Sequence, residues 1–370
     1  MIDRRLCLTV VRAAAILGSF CVWPASGQGD DPVVDDKPLS QLVKQLRSEN
    51  RGFQLRAAQA LTKAPAELQS RILPQVIPLL KSERENDRFV AAQVLGEYGP
   101  VSRGAVPDLL PLLQGTQYER NRAAAAKALG QILKDSAASE EVEKVTKALV
   151  AVFRDPYPDV QREAVRACGM IGPAARSCIP SLKEPLEYNL RGGSADTPYL
   201  MVRRATDWTL SRMGPLAAEY IDRLIAQMHT EGGDAPEALE AIGCIGPVHE
   251  NVAANLVDFL EKGPARDWRH YPDSKMAGWK ALEKFGAKAA PAVSLIARFL
   301  RENRFNDPPE AISQWFAVLR AVGPAAKDAL PQVQKYTDPK SVPCGWQEFG
   351  AVVSREALRT VEALGGYKGQ

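Results

Sequence analysis

Three histidines and six cysteines are the residues of this 370-residue chain best suited to acid–base, nucleophilic or metal chemistry. His229, His249 and His270 stand far apart, and His249-Glu250 is a single His-Glu pair. There is no Gly-x-Ser-x-Gly nucleophile turn, no phosphate-binding glycine loop closed by Lys-Ser or Lys-Thr, and no dinucleotide fingerprint. Acyl transfer, phosphoryl transfer and hydride transfer therefore lack their sequence carriers. No catalytic residue, cofactor or metal ligand is assigned, and the reading is that of a protein without enzymatic activity.

The cysteines give no metal framework either. Cys168, Cys178, Cys244 and Cys344 are spaced by 10, 66 and 100 residues. Cys168 takes a position that is otherwise Leu, Ile or Val, and so reads as a small core residue. Cys178 precedes Ile179-Pro180 at the start of a helix, which leaves a disulfide to Cys168 open in an oxidising compartment.

The N-terminus bears on that compartment. Arg4 and Arg5 precede an apolar stretch from Ala13 to Trp23, followed by Pro24-Ala25-Ser26-Gly27. This is the layout of a secretory signal peptide, residues 1–27, with cleavage expected near Gly27. The apolar run is shorter than the roughly 20 residues a bilayer-spanning helix needs, so no membrane insertion is expected after cleavage. Phe20 is bulkier than a lipoprotein processing site accepts before Cys21. The expected location is periplasmic or extracellular.

Without residues 1–27 the chain loses Arg4, Arg5, Arg12 and Asp3, leaving 44 basic and 43 acidic residues. A net charge near +1 gives no uniform field for a polyphosphate, so nucleic acid is not an expected partner.

What positions all these residues is an internal repeat. One apolar anchor recurs as Leu61, Leu95, Leu129, Cys168, Leu210, Ile242, Leu282, Leu319 and Val361, at spacings of 34, 34, 39, 42, 32, 40, 37 and 42. Four residues later most copies reach a glycine, often followed by proline, as in Gly99-Pro100, Gly172-Pro173, Gly214-Pro215, Gly246-Pro247 and Gly323-Pro324. Glycine closes a helix in the left-handed conformation and proline suits the first turn of the next, so each Gly-Pro predicts a tight helix-to-helix corner. The positions four and one residues before the anchor are mostly small, as in Ala57 and Ala60, Ala125 and Ala128, or Ala164 and Ala167. They form a smooth stripe on one helix face along which neighbours approach closely. The second helix of each unit has its own apolar spacing, as in Val142, Val145, Leu149 and Val150.

The segments VQREAVRACGMIGPAARSCIPSL (160–182) and RFVAAQVLGEYGPVSRGAVPDLLPLL (88–113) resemble the HEAT repeat, in the variant associated with phycobilisome lyase subunits. The resemblance implies an all-α fold: an α-α superhelix of the armadillo/HEAT type, about nine repeats and about 18 helices, right-handed and without a sheet. Residues 28–36 are expected to be a disordered leader and 37–370 a single solenoid, with Leu39–Leu46 as its N-terminal cap. Such stacks mostly bind proteins, which implies a scaffold or adaptor with a protein partner. The HEAT-type iron enzyme deoxyhypusine hydroxylase needs several His-Glu pairs, and one is present here. An accessory subunit resembling a phycobilisome lyase and a carbohydrate or cell-wall binder are the alternatives. Partner identity and oligomeric state stay open.

Three departures from the repeat concern function. Arg88, Arg122, Arg162, Arg203, Arg204, Lys275 and Arg355 recur early in the first helix of their units. They read as ties to acidic residues of the preceding loop, such as Asp87 or Asp159, rather than as a ladder for an acidic ligand. Asp207 occupies an otherwise apolar position, where pairing with Arg203 or Arg204 would offset the cost of burying its charge. Trp279 and Phe316, at the equivalent position, read as core. Finally, the longer connections at 189–201, 262–274, 302–311 and 337–350 predict an irregular rim. Trp268, Arg269, His270, Tyr271 and Trp346 lie on it as the candidate partner-binding residues, because aromatics and Arg are enriched at binding hot spots. The other reading is that these rings fold back over the end of the core.

Overall fold

A computed structural model describes residues 31–187, 198–230, 235–262, 272–302, 308–341 and 347–366. Among them the chain forms 18 α-helices and a two-residue β-hairpin. After the cap helix α1 (Leu39–Leu46), one layer holds the anchor-bearing helices: α2 (Arg51–Thr62), α4 (Glu85–Tyr98), α6 (Glu119–Ile132), α8 (Pro158–Ile171), α10 (Pro198–Met213), α12 (Pro236–Ile245), α14 (Pro272–Phe285), α16 (Pro309–Val322) and α18 (Gly350–Ala363). Each packs against the next in order, which makes the layer a ladder. The expected all-α solenoid of nine units is the fold observed.

The second layer is less regular than its apolar spacing predicts. It contains α3 (Ala66–Val76), α5 (Val106–Leu109), α7 (Glu140–Ala151), α9 (Lys183–Glu187), α11 (Ile221–Thr230), α13 (Asn251–Lys262), α15 (Ala292–Glu302) and α17 (Leu330–Lys335). Several are flanked by 3-10 turns, such as Gly99–Ala105 and Leu110–Leu113 around α5. Pro100, Pro107 and Pro111 explain this, since each removes an amide donor and crowds the preceding turn, so i to i+3 bonding replaces the α-helical pattern.

Small residues set the spacing of the ladder. Ala57, Ala91, Ala125 and Ala164 are fully buried with the anchors beside them. A Cβ on Gly130 of α6 would lie 2.6 Å from the Ala167 Cα of α8, so these two backbones are nearly in contact. The corners form as expected, with Gly99 at φ 59° and Gly172 at φ 77°, a region that penalises any Cβ. In the third repeat, where Leu133 stands four residues after the anchor, Asp135 takes the left-handed conformation at φ 52°. Its N–H donates to the Met170 carbonyl at 3.0 Å, and its Oδ1 accepts from Arg212 two repeats on.

Polar ties between repeats are buried too. Arg122 makes a bidentate bridge to Asp155 at 2.7 and 2.9 Å, both side chains about 95% buried. The hydrogen bond from Arg122 to Asp155 raises the arginine's pKa further. The acidic partner therefore comes from the loop after this repeat, not the loop before it. Arg88 does turn to its preceding loop, but to the Ser82 and Glu83 carbonyls, while Arg162 pairs with Asp159 at 2.7 Å. Tyr98 donates to the Leu61 carbonyl at 2.8 Å and Tyr220 to the Ile179 carbonyl at 2.7 Å. Burial pushes the Tyr220 phenol up to about 12.

The segment expected as a disordered leader is described from Asp31 onward, and there it is folded. Val33–Val34 pairs antiparallel with Lys37–Pro38, Val34 is buried, and Asp31 accepts hydrogen bonds from Ser40 of α1.

Candidate protein-binding surface

The five rim residues Trp268, Arg269, His270, Tyr271 and Trp346 lie outside the described residues. The other sequence candidates are described, except for His270 and Cys344. Trp279 and Phe316 are core as expected, at 1% and 0% exposure, with Trp279 edge-on to Trp315 at 6.0 Å. Asp207 is buried on α10 and accepts from Gln227 Nε2 of α11 at 2.7 Å, a partner from the other layer that the helical spacing did not indicate. His229 packs edge-on to Phe259, and His249 Nε2 sits 2.9 Å from Asp222. Among the described residues no cluster of His, Cys, Asp and Glu could hold a metal ion, and no helix is long and apolar enough to cross a membrane.

Cys168 and Cys178 are both fully buried free thiols. The hydrogen bond that the Cys168 thiol makes to Cys178, and then burial, push that thiol well above its ordinary value. That is the behaviour of a core residue rather than of a nucleophile.

A groove of about 820 Å³ crosses four successive helices of the ladder, α2, α4, α6 and α8. Its floor is Leu55 and Ala58, Phe89 and Ala92, and Ala123 and Ala124, the small and apolar side chains that face away from the second layer. Its walls are polar. Arg120 lies over the Phe89 ring at 4.0 Å and reaches Glu85 at 3.6 Å and Asn86 at 3.2 Å. Burial lowers the Arg120 pKa, a shift that Glu85 opposes. Glu97 accepts from Gln131 at 3.0 Å and from Lys127 at 3.2 Å. The Gln131 hydrogen bond, more than Lys127, holds the Glu97 carboxyl below the usual range.

This surface offers a ligand an apolar floor, an aromatic face under a guanidinium, and walls on which Arg120, Lys127 and Arg162 are held in ion pairs. Sequence reasoning missed it, although its signal was present. The position two residues before the anchor is Gln59, Gln93, Lys127, Arg166 and Trp208 in successive repeats, polar or aromatic where the flanking positions are small.

Comparison with known proteins agrees with the fold. A family profile of HEAT repeats matches residues 39–130 and 73–147. No curated protein matches the sequence. Among solved structures the chain is similar to an engineered protein (TM-score 0.53, 17% identity, 89% of this chain and 91% of that one). It is also similar to yeast importin-beta, Kap95p (TM-score 0.60, 11% identity, 89% and 46%). A third match is the karyopherin Kap121p bound to the extreme C-terminus of the protein phosphatase Cdc14p (TM-score 0.61, 14% identity, 90% and 39%). The chain thus spans under half the length of either karyopherin. With the stacked corners and these likenesses, the chain has the fold of a HEAT/armadillo-type α-α solenoid, with HEAT repeats matched over residues 39–147.

Proposed function

We propose that this solenoid is a non-catalytic protein-binding scaffold or adaptor, that it holds its partner in the groove across α2, α4, α6 and α8, and that it works outside the cytoplasm. The groove carries the reading: an elongated apolar floor with polar walls suits an extended or helical protein segment better than a compact small molecule. The similar Kap121p was solved bound to a protein terminus, which supports a protein ligand for this architecture. The basic and apolar segment up to Gly27 supports export, and N-terminal sequencing of the protein from its native cell would start near residue 28 if that holds.

The test is photo-crosslinking in the native cell. A benzophenone side chain at Gln93 or Ala123, inside the groove, should capture a protein adduct of defined mass. The same group at Arg176, exposed on the second layer, should not. Equal capture at both places, or none in the groove, refutes the groove. A probe at Tyr271 tests the rim of Trp268, Arg269, His270, Tyr271 and Trp346 in the same way.

A further inference from the structure

The side chains two residues before each anchor continue beyond the groove. Gln59, Gln93 and Lys127 line it, and Arg166 of α8 and Trp208 of α10 are next in the same register. Trp208 rests on α8 where Gly169 leaves room, since a Cβ there would lie 2.6 Å from the indole. One turn earlier on α8, Arg166 places its guanidinium carbon 5.2 Å from the centroid of that ring. Stacking fixes the plane of the guanidinium while leaving its edge of N–H donors open to solvent.

Charge distinguishes Arg166 from its neighbours. Along this face Lys127 is paired with Glu97, Arg120 with Glu85, Arg162 with Asp159 and Glu163, Arg204 with Glu237, and Arg212 with Asp135. Arg166 is exposed, and among the described residues no carboxylate lies within ion-pair distance of it. Arg166 is thus a pre-oriented positive charge with no ion-pair partner among the described residues, at the end of a groove lined by Glu97, Glu119, Asp159 and Glu163 against Arg120, Lys127 and Arg162. A polyanion would meet Glu97, Glu119, Asp159, Glu163 and Glu237 around that single cation, whereas one carboxylate would meet only its complement. At the far end of the column, the Gln59 and Gln93 amides make no hydrogen bond within the described residues. Each offers the donor and acceptor that a peptide backbone requires.

We propose that Arg166, held on Trp208, is the anchor for a Glu or Asp side chain in an extended segment of the partner protein, with the segment running from there along the groove past Lys127 toward Gln93 and Gln59. This rests on the scaffold reading above and adds the chemistry of the partner. The test is an array of random dodecapeptides probed with the full chain, each peptide paired with a copy in which Glu and Asp become Gln and Asn. Bound peptides should share an acidic residue at one position, without further enrichment in acid, and weaken roughly tenfold or more in the amide copy. Arg166→Gln should abolish that difference, Arg166→Lys should restore part of it, and Trp208→Phe, which keeps a ring under the cation, should retain it. Arg176→Gln, removing an exposed cation from the second layer, should change nothing. Four results overturn the proposal: no acid dependence, an equal loss with Arg176→Gln, tighter binding of a single-stranded RNA of the same length, or no peptide bound at all. If the groove crosslinks a protein while the array shows no acid dependence, the anchor falls and the scaffold stands. If the groove captures nothing, the scaffold reading falls by itself.

Discussion

In the second, third, fourth and sixth repeats the residue after the anchor is Gly96, Gly130, Gly169 and Gly243, whereas the seventh to ninth place Glu283, Arg320 and Glu362 there. Gly96, Gly130 and Gly243 face an alanine backbone of the next helix, whereas Gly169 faces the Trp208 ring, so α4 and α6, α6 and α8, and α12 and α14 are packed by their main chains. The charged residues cannot occupy such a gap. They bridge it instead, with Glu283 accepting from Gln314 at 2.6 Å and Arg320 meeting Glu356 at 3.0 Å. The α14 and α16 pair is accordingly packed less closely than α6 and α8, and aromatic rings fill the space: Trp279, Trp315 and Phe299 form one cluster with centroids 5.4 to 6.3 Å apart. One fold is thus held by two chemistries, close backbone contact where glycine follows the anchor, as between α6 and α8, and ring packing between α14 and α16. The match to the HEAT-repeat profile, which ends at residue 147, includes Gly96 and Gly130.

The comparison can be broken in three ways. Trp279→Ala leaves a cavity no neighbour can fill, and should lower the unfolding free energy by about 4 kcal/mol. Denaturant titration checks this, and a loss below about 1.5 kcal/mol would mean the rings are not the mortar between α14 and α16. Arg122→Ala strands the buried Asp155 carboxylate and should cost about 3 kcal/mol at neutral pH. Arg320→Ala, whose bridge to Glu356 is partly open to water, should cost about 1 kcal/mol or less by the same titration. The smallest of the three effects sharpens the contrast most. Gly130→Ala forces a methyl into the Ala167 backbone and should cost about 2 kcal/mol, whereas Glu283→Ala, exposed at the same register, should stay within about 0.5 kcal/mol. Equal melting shifts for that last pair would show that backbone contact does not divide the two kinds of joint.

Much of this was legible beforehand, because the forces that build the ladder act within a few residues. Leu61 to Val361 marked the buried layer, Gly99 and Gly172 marked the corners, and Cys168, Trp279 and Phe316 were identified as core from register alone. What escaped has non-local causes. The partner of Arg122 proved to be Asp155, 33 residues away across a repeat, and Asp207 also accepts from Gln227 in the other layer. The prolines that fragment the second layer were visible, but how each would divide α from 3-10 bonding depends on packing. The groove emerged only when four helices were placed side by side, because no single repeat contains it. Longer connections pointed to the C-terminal rim, whereas the concavity formed where the repeat is most regular.

Asp135 has a consequence for how the molecule would bend. A solenoid whose units touch only their neighbours flexes like a chain of equal links. Asp135 bonds to the fourth link through its main chain and to the fifth through Arg212, and so acts as a brace across two joints. The exposed ion pair adds less than about 1 kcal/mol, but it opposes relative rotation of those links. When the solenoid opens or tightens around a load, the change in curvature should therefore fall on the joints to either side. Arg166 and Trp208 lie within the braced span and would keep their mutual pose, while the floor between α2 and α6 behaves as the compliant jaw that adjusts to what it holds.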